Sequence, residues 1–189
     1  MYNEFTMSEL IVLVNDAGQP IGTADKLEAH HADTPLHLAF SCYVFNQDGK
    51  ILVTQRAITK KVWPGVWTNS VCGHPGPGED IVSAIQRRLH EELGMTAEAY
   101  QVVLPTYRYK TPPFNGIIEN EICPVYVARA TSEPKANPAE VEAHNWEDWH
   151  DFVASAARDA SNAYSWWCKD QLKQLKEQPL IHLYSGSAL

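Results

Sequence analysis

The sequence predicts an α+β fold, an α/β sandwich in which a mixed, mostly antiparallel sheet is flanked by helices. Short apolar runs separated by turn residues predict paired strands, and longer segments with helical periodicity predict the helices. The 189 residues, 44% of them hydrophobic, suffice for one domain with a sizeable core. We therefore expect a single domain over 1–189. Its core is expected at about 35–165, between an N-terminal extension, 1–34, and a C-terminal helix, 166–178.

The strands are predicted from apolar runs and from the turns between them. Leu10–Val14 is apolar and precedes an Asp-Ala-Gly turn, so a small hairpin is expected over 10–26. A second hairpin is expected from the apolar runs at 38–45 and 51–54, because a polar segment containing Asp-Gly joins them. Later strands are expected at four segments, 102–104, 107–109, 117–127 and 141–146.

One helix, between the two strand-rich parts of the chain, has the clearest pattern. Asp80 suits its N-terminal cap and Gly94 suits its end. An apolar stripe predicts the face that packs on the core, and it consists of Val82, Ile85, Leu89 and Leu93.

Two glutamates of this helix are predicted to differ in role. Glu92 and Arg88 lie one turn apart along an edge of the apolar stripe, so Glu92 can lean toward a cleft and is a candidate metal ligand. Arg87 and Glu91 lie on the far side, where a solvated ion pair worth about 0.3–0.5 kcal/mol is expected.

The C-terminal part is predicted to be helical. An amphipathic helix is expected at 148–158, and the Ser-Trp-Trp-Cys segment at 165–168 is expected to precede a final helix that runs through Lys176. The last dozen residues are expected to form a loose tail.

Charge and composition argue against several classes of function. The net charge of −8 disfavours nonspecific binding of nucleic acid, since backbone phosphates would be repelled. No apolar run is long enough to span a bilayer, and the first ten residues lack the pattern of a secretory signal. The four cysteines show no paired spacing, which favours free thiols in a reducing cytoplasm. We expect a cytoplasmic protein that is a monomer or a weak dimer.

Five side chains are candidates for one metal site. Histidines are concentrated ahead of the second hairpin, and Glu119 and Glu121 project from the same face of a predicted strand, where like charges repel unless something neutralises them. Mixed nitrogen and oxygen ligands suit Mn²⁺, Zn²⁺, Fe²⁺ or Mg²⁺. The candidate ligands are His30, His37, His74, Glu119 and Glu121.

The segment at 68–94 carries a resemblance to a known family. It reads TNSVCGHPGPGEDIVSAIQRRLHEELG, and seven of its residues fall at the spacing of the Nudix box: Gly73, Glu79, Arg87, Leu89, Glu91, Glu92 and Gly94. Arg88 stands where Nudix hydrolases carry a glutamate. Together with Cys72 and His74, this departure makes the chain resemble the type 1 isopentenyl-diphosphate isomerases over about residues 10–170, which implies the Nudix fold.

The resemblance implies a reaction of isoprenoid biosynthesis. In this family isopentenyl diphosphate becomes dimethylallyl diphosphate by a 1,3-proton shift through a tertiary carbocation. Cys72 and Glu121 resemble the acid/base pair, with either in either role, and Tyr109 resembles the tyrosine that hydrogen-bonds the glutamate. Trp167 resembles the indole that stabilises the cation, although Trp166 stands where the family has proline and stays an alternative.

The resemblance also implies the ligands of the diphosphate. Its clamp consists of Lys26, Arg56, Lys60 and Arg88. A tightly bound metal is implied in the site of three histidines and two glutamates. A second metal, Mg²⁺, is implied between the diphosphate, the Glu92 carboxylate and the backbone carbonyl of Cys72. The position of Cys72 in a glycine-rich loop ahead of a helix also predicts a lowered thiol pKa.

Two other functions stay open. A Nudix hydrolase of a nucleoside diphosphate derivative requires the intact acidic helix, which Arg88 interrupts. A non-catalytic metal-binding or sensor module on the same fold would tolerate the loss of Cys72 or of the Glu121 carboxylate.

Overall fold

The computed structural model describes residues 9–186, in which short strands are followed by helices. The strands are β1 (Leu10–Val14), β2 (Pro20–Asp25), β3 (His37–Leu38), β4 (Phe40–Phe45), β5 (Ile51–Arg56), β6 (Trp67–Thr68), β7 (Val71–Gly73), β8 (Ala97–Leu104), β9 (Arg108–Lys110), β10 (Asn120–Ile122), β11 (Val125–Ala130) and β12 (Val141–Glu147). The helices are α1 (Lys26–Ala29), α2 (Ile81–Leu93), α3 (Trp149–Arg158), α4 (Trp166–Leu175) and α5 (Pro179–Ser185). The helices described here include no candidate for a transmembrane span.

The strands form two sheets rather than the one that was expected. A five-stranded sheet has the order β2-β1-β3-β10-β9, and a seven-stranded sheet has the order β12-β5-β4-β11-β8, with β6 on β5 and β7 on β4. The pairs β3–β10 and β4–β11 are parallel, and the other pairs are antiparallel. The predicted mixed, mostly antiparallel architecture is therefore confirmed.

Two predicted strands are each divided between the sheets. The segment at 38–45 breaks at Ala39 into β3 and β4, and the segment at 117–127 breaks into β10 and β11. The breaks lie side by side, because the Ala39 amide donates to the Ile122 carbonyl at 2.9 Å and the Ser41 amide to the Pro124 carbonyl at 3.2 Å. Pro124 has no amide hydrogen with which to continue the ladder. The prediction of continuous strands was therefore wrong at this crossing.

Helix α2 is capped as the sequence predicts. The Asp80 carboxylate accepts a hydrogen bond from the Ser83 amide, and Gly94 ends the helix at a φ of 53°, a left-handed conformation that favours glycine. Of the predicted stripe, Ile85, Leu89 and Leu93 are buried, whereas Val82 is only half-buried.

The seven-stranded sheet has helices on both faces. Alternate residues of β4 point to opposite sides, so that Cys42 and Val44 pack with α2, while Tyr43 and Phe45 pack with the three C-terminal helices. The sandwich expected from the sequence is thereby present.

The C-terminal residues differ from the prediction. Helix α4 begins at Trp166, so the two tryptophans lie in its first turn instead of preceding it. The last dozen residues were expected to be a loose tail, but α5 forms there and buries Ile181 and Tyr184 in the core. Residues 1–8, which belong to the predicted N-terminal extension and to the segment searched for a secretory signal, lie outside the described residues, as do 187–189.

Candidate active site

A cavity of about 190 Å³ is lined by residues from both sheets and from α1, α2 and α4. The strand crossing described above positions the centre of this site, because Glu121 of β10 pairs in parallel register with His37 of β3. All predicted site residues except His37 line the cavity, and His37 lies directly behind it against His74.

The three predicted histidine ligands form one cluster. The ring centroids of His30 and His37 are 5.0 Å apart, those of His37 and His74 also 5.0 Å, and those of His30 and His74 5.6 Å. Hydrogen bonds hold the outer nitrogens of two rings, since His30 Nδ1 lies 2.5 Å from the Lys26 carbonyl and His37 Nδ1 lies 2.9 Å from the Pro35 carbonyl. These bonds leave both Nε2 atoms facing the cluster. In metal sites, a carbonyl on the far nitrogen of a histidine orients the ring toward the ion in the same way.

The two glutamates complete the cluster. Glu121 Oε1 lies 3.2 Å from His74 Nε2 and 3.5 Å from His37 Nε2, and Glu119 Oε2 lies 3.0 Å from His30 Nε2. Within the described residues, Glu119 Oε2 is buried without a well-oriented hydrogen bond. Converging nitrogen and oxygen donors, one of them a buried carboxylate oxygen without a well-oriented hydrogen bond, fit a divalent metal ion.

Two members of the cluster, His74 and Glu121, have protonation states that suit a metal. Burial lowers the pKa of His74 to about 4, so its imidazole is neutral at pH 7. Burial opposes ionisation of Glu121, but hydrogen bonds with His37 and His74 outweigh it and hold the pKa of this carboxyl well below its usual range. A neutral His74 and an ionised Glu121 are forms that bind metal, whereas at His30 burial opposes the charge but hydrogen bonding with Glu119 outweighs it and raises the pKa of that imidazole.

Cys72 lies on β7 at the cavity wall and is half-buried. Its neighbour Gly73 allows β7 to approach α2, because a Cβ there would lie 3.0 Å from Cγ of Arg88. Burial raises the pKa of the Cys72 thiol to about 11, so the prediction of a lowered pKa was wrong. Helix α2 begins only at Ile81, and the carboxylates of Glu121 and Glu92 oppose a thiolate.

The structure distinguishes the two adjacent tryptophans. Trp167 is 6% exposed, lines the cavity and donates from Nε1 to Thr68 Oγ1 at 3.0 Å. Trp166 instead stacks on Tyr109, with ring centroids 5.9 Å apart, and is not among the residues that line this cavity. Burial, followed by the negative charge of Glu121, raises the pKa of Tyr109 well above its ordinary value.

The predicted basic residues of the clamp all line the cavity, and three of them contact carboxylates. Lys26 Nζ lies 2.7 Å from Glu9 Oε2, and Lys60 Nζ lies 2.5 Å from Glu140 Oε2. The fourth, Arg56, places its guanidinium carbon 5.9 Å from the ring centroid of Trp167.

Arg88 connects the clamp to the box helix. Its Nη2 lies 2.5 Å from Glu92 Oε1 and 3.0 Å from Glu140 Oε2. Glu92 lines the cavity and is largely buried, which raises the pKa of its carboxyl, whereas Glu91 is 43% exposed. As predicted, Glu92 lies at the cavity and Glu91 lies on the exposed side of α2.

Arg87 has a different main partner from the predicted one. Its contact with Glu91 is long, at 3.4 Å, whereas its Nε and Nη2 each donate to Glu79 at 2.8 Å and Nη2 also donates to the His74 carbonyl at 3.1 Å. Arg87 therefore ties the Cys72–His74 segment to α2. The predicted pair with Glu91 is present as a long contact, and the tighter pair with Glu79 was not predicted.

Some residues that contact the site were missed from the sequence. Glu140 lies among the clamp cations, while Ser41 and Asn69 contact the Cys72 thiol and Gln171 contacts Ser41. Asn69 lies inside the Cys72 segment and could have been noticed there. Gln171 follows Trp167 by one helical turn, which is the only local signal for it.

Comparison with known proteins identifies the family. The NUDIX domain family matches residues 35–167. A curated relative from Saccharopolyspora erythraea, named isopentenyl-diphosphate Delta-isomerase, is 52% identical over 89% of this chain and 87% of its own length. A relative of the same name from Paenarthrobacter aurescens is 49% identical over 95% of this chain and 97% of its own.

Solved structures show the fold. A Deinococcus radiodurans protein matches with a TM-score of 0.66 and 19% identity over 88% of this chain and 98% of its own. A MutT NUDIX hydrolase from Burkholderia pseudomallei matches with a TM-score of 0.55 and 23% identity over 74% and 98%. Because the domain match covers most of the chain and the curated relatives are about half identical over nearly its full length, the protein belongs to the isopentenyl-diphosphate Delta-isomerase family and has the NUDIX fold.

Proposed function

We propose that this protein interconverts isopentenyl diphosphate and dimethylallyl diphosphate for isoprenoid biosynthesis. One observation carries the proposal: the same cavity is lined by two proton-transfer groups, Cys72 and Glu121, by the Trp167 indole, and by four basic side chains. Hydrolysis of a diphosphate requires neither a thiol nor an indole face at the cavity wall. The curated relatives that carry the isomerase name support the same reaction.

Proton transfer requires an acid and a base at one alkene. One of the pair Cys72 and Glu121 donates a proton to the terminal CH₂ carbon, which becomes a methyl group and leaves the positive charge on the tertiary carbon. The other removes a proton from the carbon next to the CH₂–O group, and the electrons of that C–H bond form the new double bond. One proton is given and one is taken, so the substrate and product have the same composition.

The remaining residues support these two transfers. The electron-rich face of Trp167 stabilises the cation, as an indole does for other cations. Tyr109, buried next to Glu121, orients that carboxylate. The aromatic wall around Trp167, which includes Trp63 at 5.4 Å between ring centroids, excludes water that would capture the cation.

The basic side chains hold the diphosphate. Lys26, Arg56 and Lys60 supply positive charge at the cavity wall, and Arg88 stands where a hydrolase has a metal-binding glutamate. A guanidinium neutralises phosphate oxygens by paired hydrogen bonds and is not a metal ligand. Arg88 thus favours retention of the diphosphate over its cleavage.

Two metal sites complete the proposal. His30, His37, His74, Glu119 and Glu121 would hold one Mn²⁺, Zn²⁺ or Mg²⁺ ion, and the Glu92 carboxylate with the Cys72 carbonyl would hold a Mg²⁺ ion that binds the diphosphate. When bound, these ions supply positive charge that keeps Glu121 ionised and neutralises the phosphate oxygens.

The proposed partner is a small diphosphate substrate, without nucleic acid or a membrane surface. The proposed compartment is the cytoplasm, because the four cysteines are free and the reaction requires the Cys72 thiol in its reduced form.

Product analysis tests the proposed function. The protein, loaded with Mg²⁺ and Mn²⁺, is incubated with isopentenyl diphosphate and followed by proton and phosphorus NMR. We expect the terminal =CH₂ signals to be replaced by those of dimethylallyl diphosphate, while both phosphorus signals of the diphosphate persist. Release of orthophosphate or pyrophosphate without migration of the double bond would instead show that the protein is a hydrolase.

A further inference from the structure

The thiol of Cys72 is held by two buried side chains that do not line the cavity. Ser41 Oγ lies 3.3 Å from Cys72 Sγ, and the thiol donates to Asn69 Oδ1 at 3.1 Å. Ser41 is 1% exposed and Asn69 is fully buried. Because neither can touch a ligand in the cavity, their contribution to the site must pass through Cys72.

Ser41 is oriented by a second buried side chain. The Tyr43 hydroxyl donates to Gln171 Oε1 at 2.9 Å, and Gln171 Nε2 donates to Ser41 Oγ at 2.9 Å. Since Ser41 accepts from Gln171, its own hydrogen is left to point at the sulfurs of Cys72 and Cys123, at 3.3 and 3.5 Å. We name Tyr43, Gln171 and Ser41 the Gln171 arm.

Asn69 is oriented on the other side of the thiol. Its Nδ2 donates to the Cys42 carbonyl at 3.1 Å and to the Val71 carbonyl at 2.9 Å, which leaves Oδ1 facing Cys72. Oδ1 also accepts from Thr68 Oγ1 at 3.0 Å, and Thr68 in turn accepts from Trp167 Nε1 at 3.0 Å. This Asn69 arm, made of Asn69 and Thr68, joins the thiol to the indole.

Both arms are expensive to bury unless each polar group is bonded. Gln171 and Asn69 are both fully buried. The folded state is destabilised when the oxygen or the NH₂ group of a buried side-chain amide lacks a hydrogen-bond partner. Apolar residues would fill these places without that penalty. Each amide instead has both ends bonded, with one end directed toward Cys72 or toward the serine that contacts it.

We propose that Gln171, through Ser41, and Asn69 are positioning residues that fix the direction of the Cys72 thiol relative to the Trp167 indole. The inference rests on the proposed function, in which the thiol must meet one carbon of the alkene while the indole faces the cation. Loss of either arm frees the thiol to rotate, and a displacement of about 1 Å at a reacting group costs up to about 10²-fold in rate.

Steady-state kinetics of the metal-loaded enzyme test the Gln171 arm. For Ser41→Ala and Gln171→Met we expect kcat to fall by about tenfold or more with KM within about threefold, because the clamp is untouched. The matched control is Ser70→Ala: Ser70 is also fully buried and its Oγ bonds the Val44 amide and the Leu52 carbonyl, without a hydrogen bond to Cys72. The proposal is wrong if kcat of the arm variants falls no further than kcat of this control.

The rate at which iodoacetamide alkylates Cys72 tests the arms without depending on isomerase activity. Because Cys72 is half-buried while the other cysteines are buried, iodoacetamide at fixed pH should modify Cys72 first in the folded protein. We expect the rate constant to change by about threefold or more in the arm variants and by less in Ser70→Ala. Tyr43→Phe, which keeps the ring in the core, is the substitute if Gln171→Met does not fold. Equal alkylation rates in all variants and in the original protein would overturn the positioning role of the arms. Absence of isomerase turnover in the original protein would overturn the proposed function alone.

Discussion

Cys72 and Glu121 have opposite electrostatic surroundings within one cavity. Burial raises the pKa of the thiol to about 11, while hydrogen bonds with two histidines hold the pKa of the carboxyl low. Two groups with widely separated pKa values are what a proton transfer between the two sides of an alkene requires. The pair is therefore the first place to test the mechanism.

Removal of either proposed proton-transfer group should stop isomerisation. For Cys72→Ala and Glu121→Gln we expect turnover to fall by about 10²–10⁴-fold, the usual contribution of a general acid or base, with an unchanged circular dichroism spectrum. Cys42→Ala is the matched control, since Cys42 is a buried cysteine on β4 in the α2 core cluster. Substantial turnover in one of the two variants would remove that residue from the pair.

The two adjacent tryptophans should differ in their effect on rate. Trp167 lines the cavity and Trp166 stacks on Tyr109, so Trp167→Leu is expected to remove about 2 kcal/mol of cation stabilisation. That loss corresponds to about thirtyfold in kcat. In the same assay, the kcat of Trp166→Leu should fall much less. An equal fall of kcat in both variants would mean that the indole face of Trp167 is not what stabilises the cation.

Most residues that line the candidate site could be predicted from the sequence, but the side chains that support them could not. Cys72, His74 and Arg88 lie in one continuous motif, so the sequence alone points to them. Gln171 and Ser41 are 130 residues apart and Glu140 and Lys60 are 80 apart, yet each pair is in direct contact. Such contacts are created by the strand order and leave no local pattern in the sequence.

At the scale of single elements, the loop between α3 and α4 fixes the start of the helix that carries Trp167. Asp159 accepts hydrogen bonds from the amides of Ser161, Ala163 and Tyr164, and it pairs with Lys169 at 3.2 Å. The backbone of this loop then bonds Trp67, through the Ala163 carbonyl at 2.7 Å. The loop thereby attaches α4 to β6.

Asp159 should make stability depend on pH in the acidic range. Burial opposes its charge, but backbone hydrogen bonds outweigh burial and hold the pKa of its carboxyl well below the ordinary value. Because the pKa is lower in the folded state, the contribution is fully present above the unfolded pKa of about 4 and is lost as pH falls below it.

Asp159→Asn is therefore expected to cost about 1–2 kcal/mol at pH 7 and less at pH 3. Urea unfolding at both pH values measures the difference. The same loss at pH 3 as at pH 7 would contradict the role given to the ionised carboxylate.

Some helices and strands were predicted correctly from the sequence and others were not, for physical reasons. The caps of α2 depend on residues adjacent in sequence, so the prediction that Asp80 begins the helix and Gly94 ends it was correct. The division of two predicted strands between the sheets depends on pairing between β3–β4 and β10–β11, and Pro124 is its only local sign. Helix α5 has seven residues, too few to show a periodicity, and it is stabilised by packing against the core.

For the molecule as a whole, the proposed metal site joins parts of the chain that are far apart in sequence. His30 follows α1 and His74 follows β7. Glu121 lies in β10, and Glu119 lies directly before that strand. We propose that these parts fold as one domain and that a bound ion stabilises them together, because an ion that binds only the folded state shifts the unfolding equilibrium.

Removal of metal should therefore affect both activity and stability. Exhaustive chelation is expected to abolish turnover and to lower Tm by about 5–10 °C, with one unfolding transition before and after. Differential scanning calorimetry and readdition of Mg²⁺ or Mn²⁺ measure the effect and its reversal. Full activity after complete removal of metal would refute the metal-site proposal.

The net charge of −8 gives a small anionic substrate no general attraction to this protein. Binding must come from the local cations of the cavity, three of which contact Glu9, Glu92 or Glu140. This arrangement favours a ligand with enough charge to replace these carboxylates, such as a diphosphate with its metal.

We expect this protein to move a proton within a five-carbon diphosphate. Incubation of isopentenyl diphosphate with the metal-loaded protein in D₂O, followed by NMR and mass spectrometry, tests it most directly. We expect deuterium in a methyl group of dimethylallyl diphosphate, because the donated proton exchanges with solvent, and we expect an intact diphosphate. An alkene that stays in place and carries no deuterium, with the protein folded and loaded with metal, would refute the proposed isomerisation.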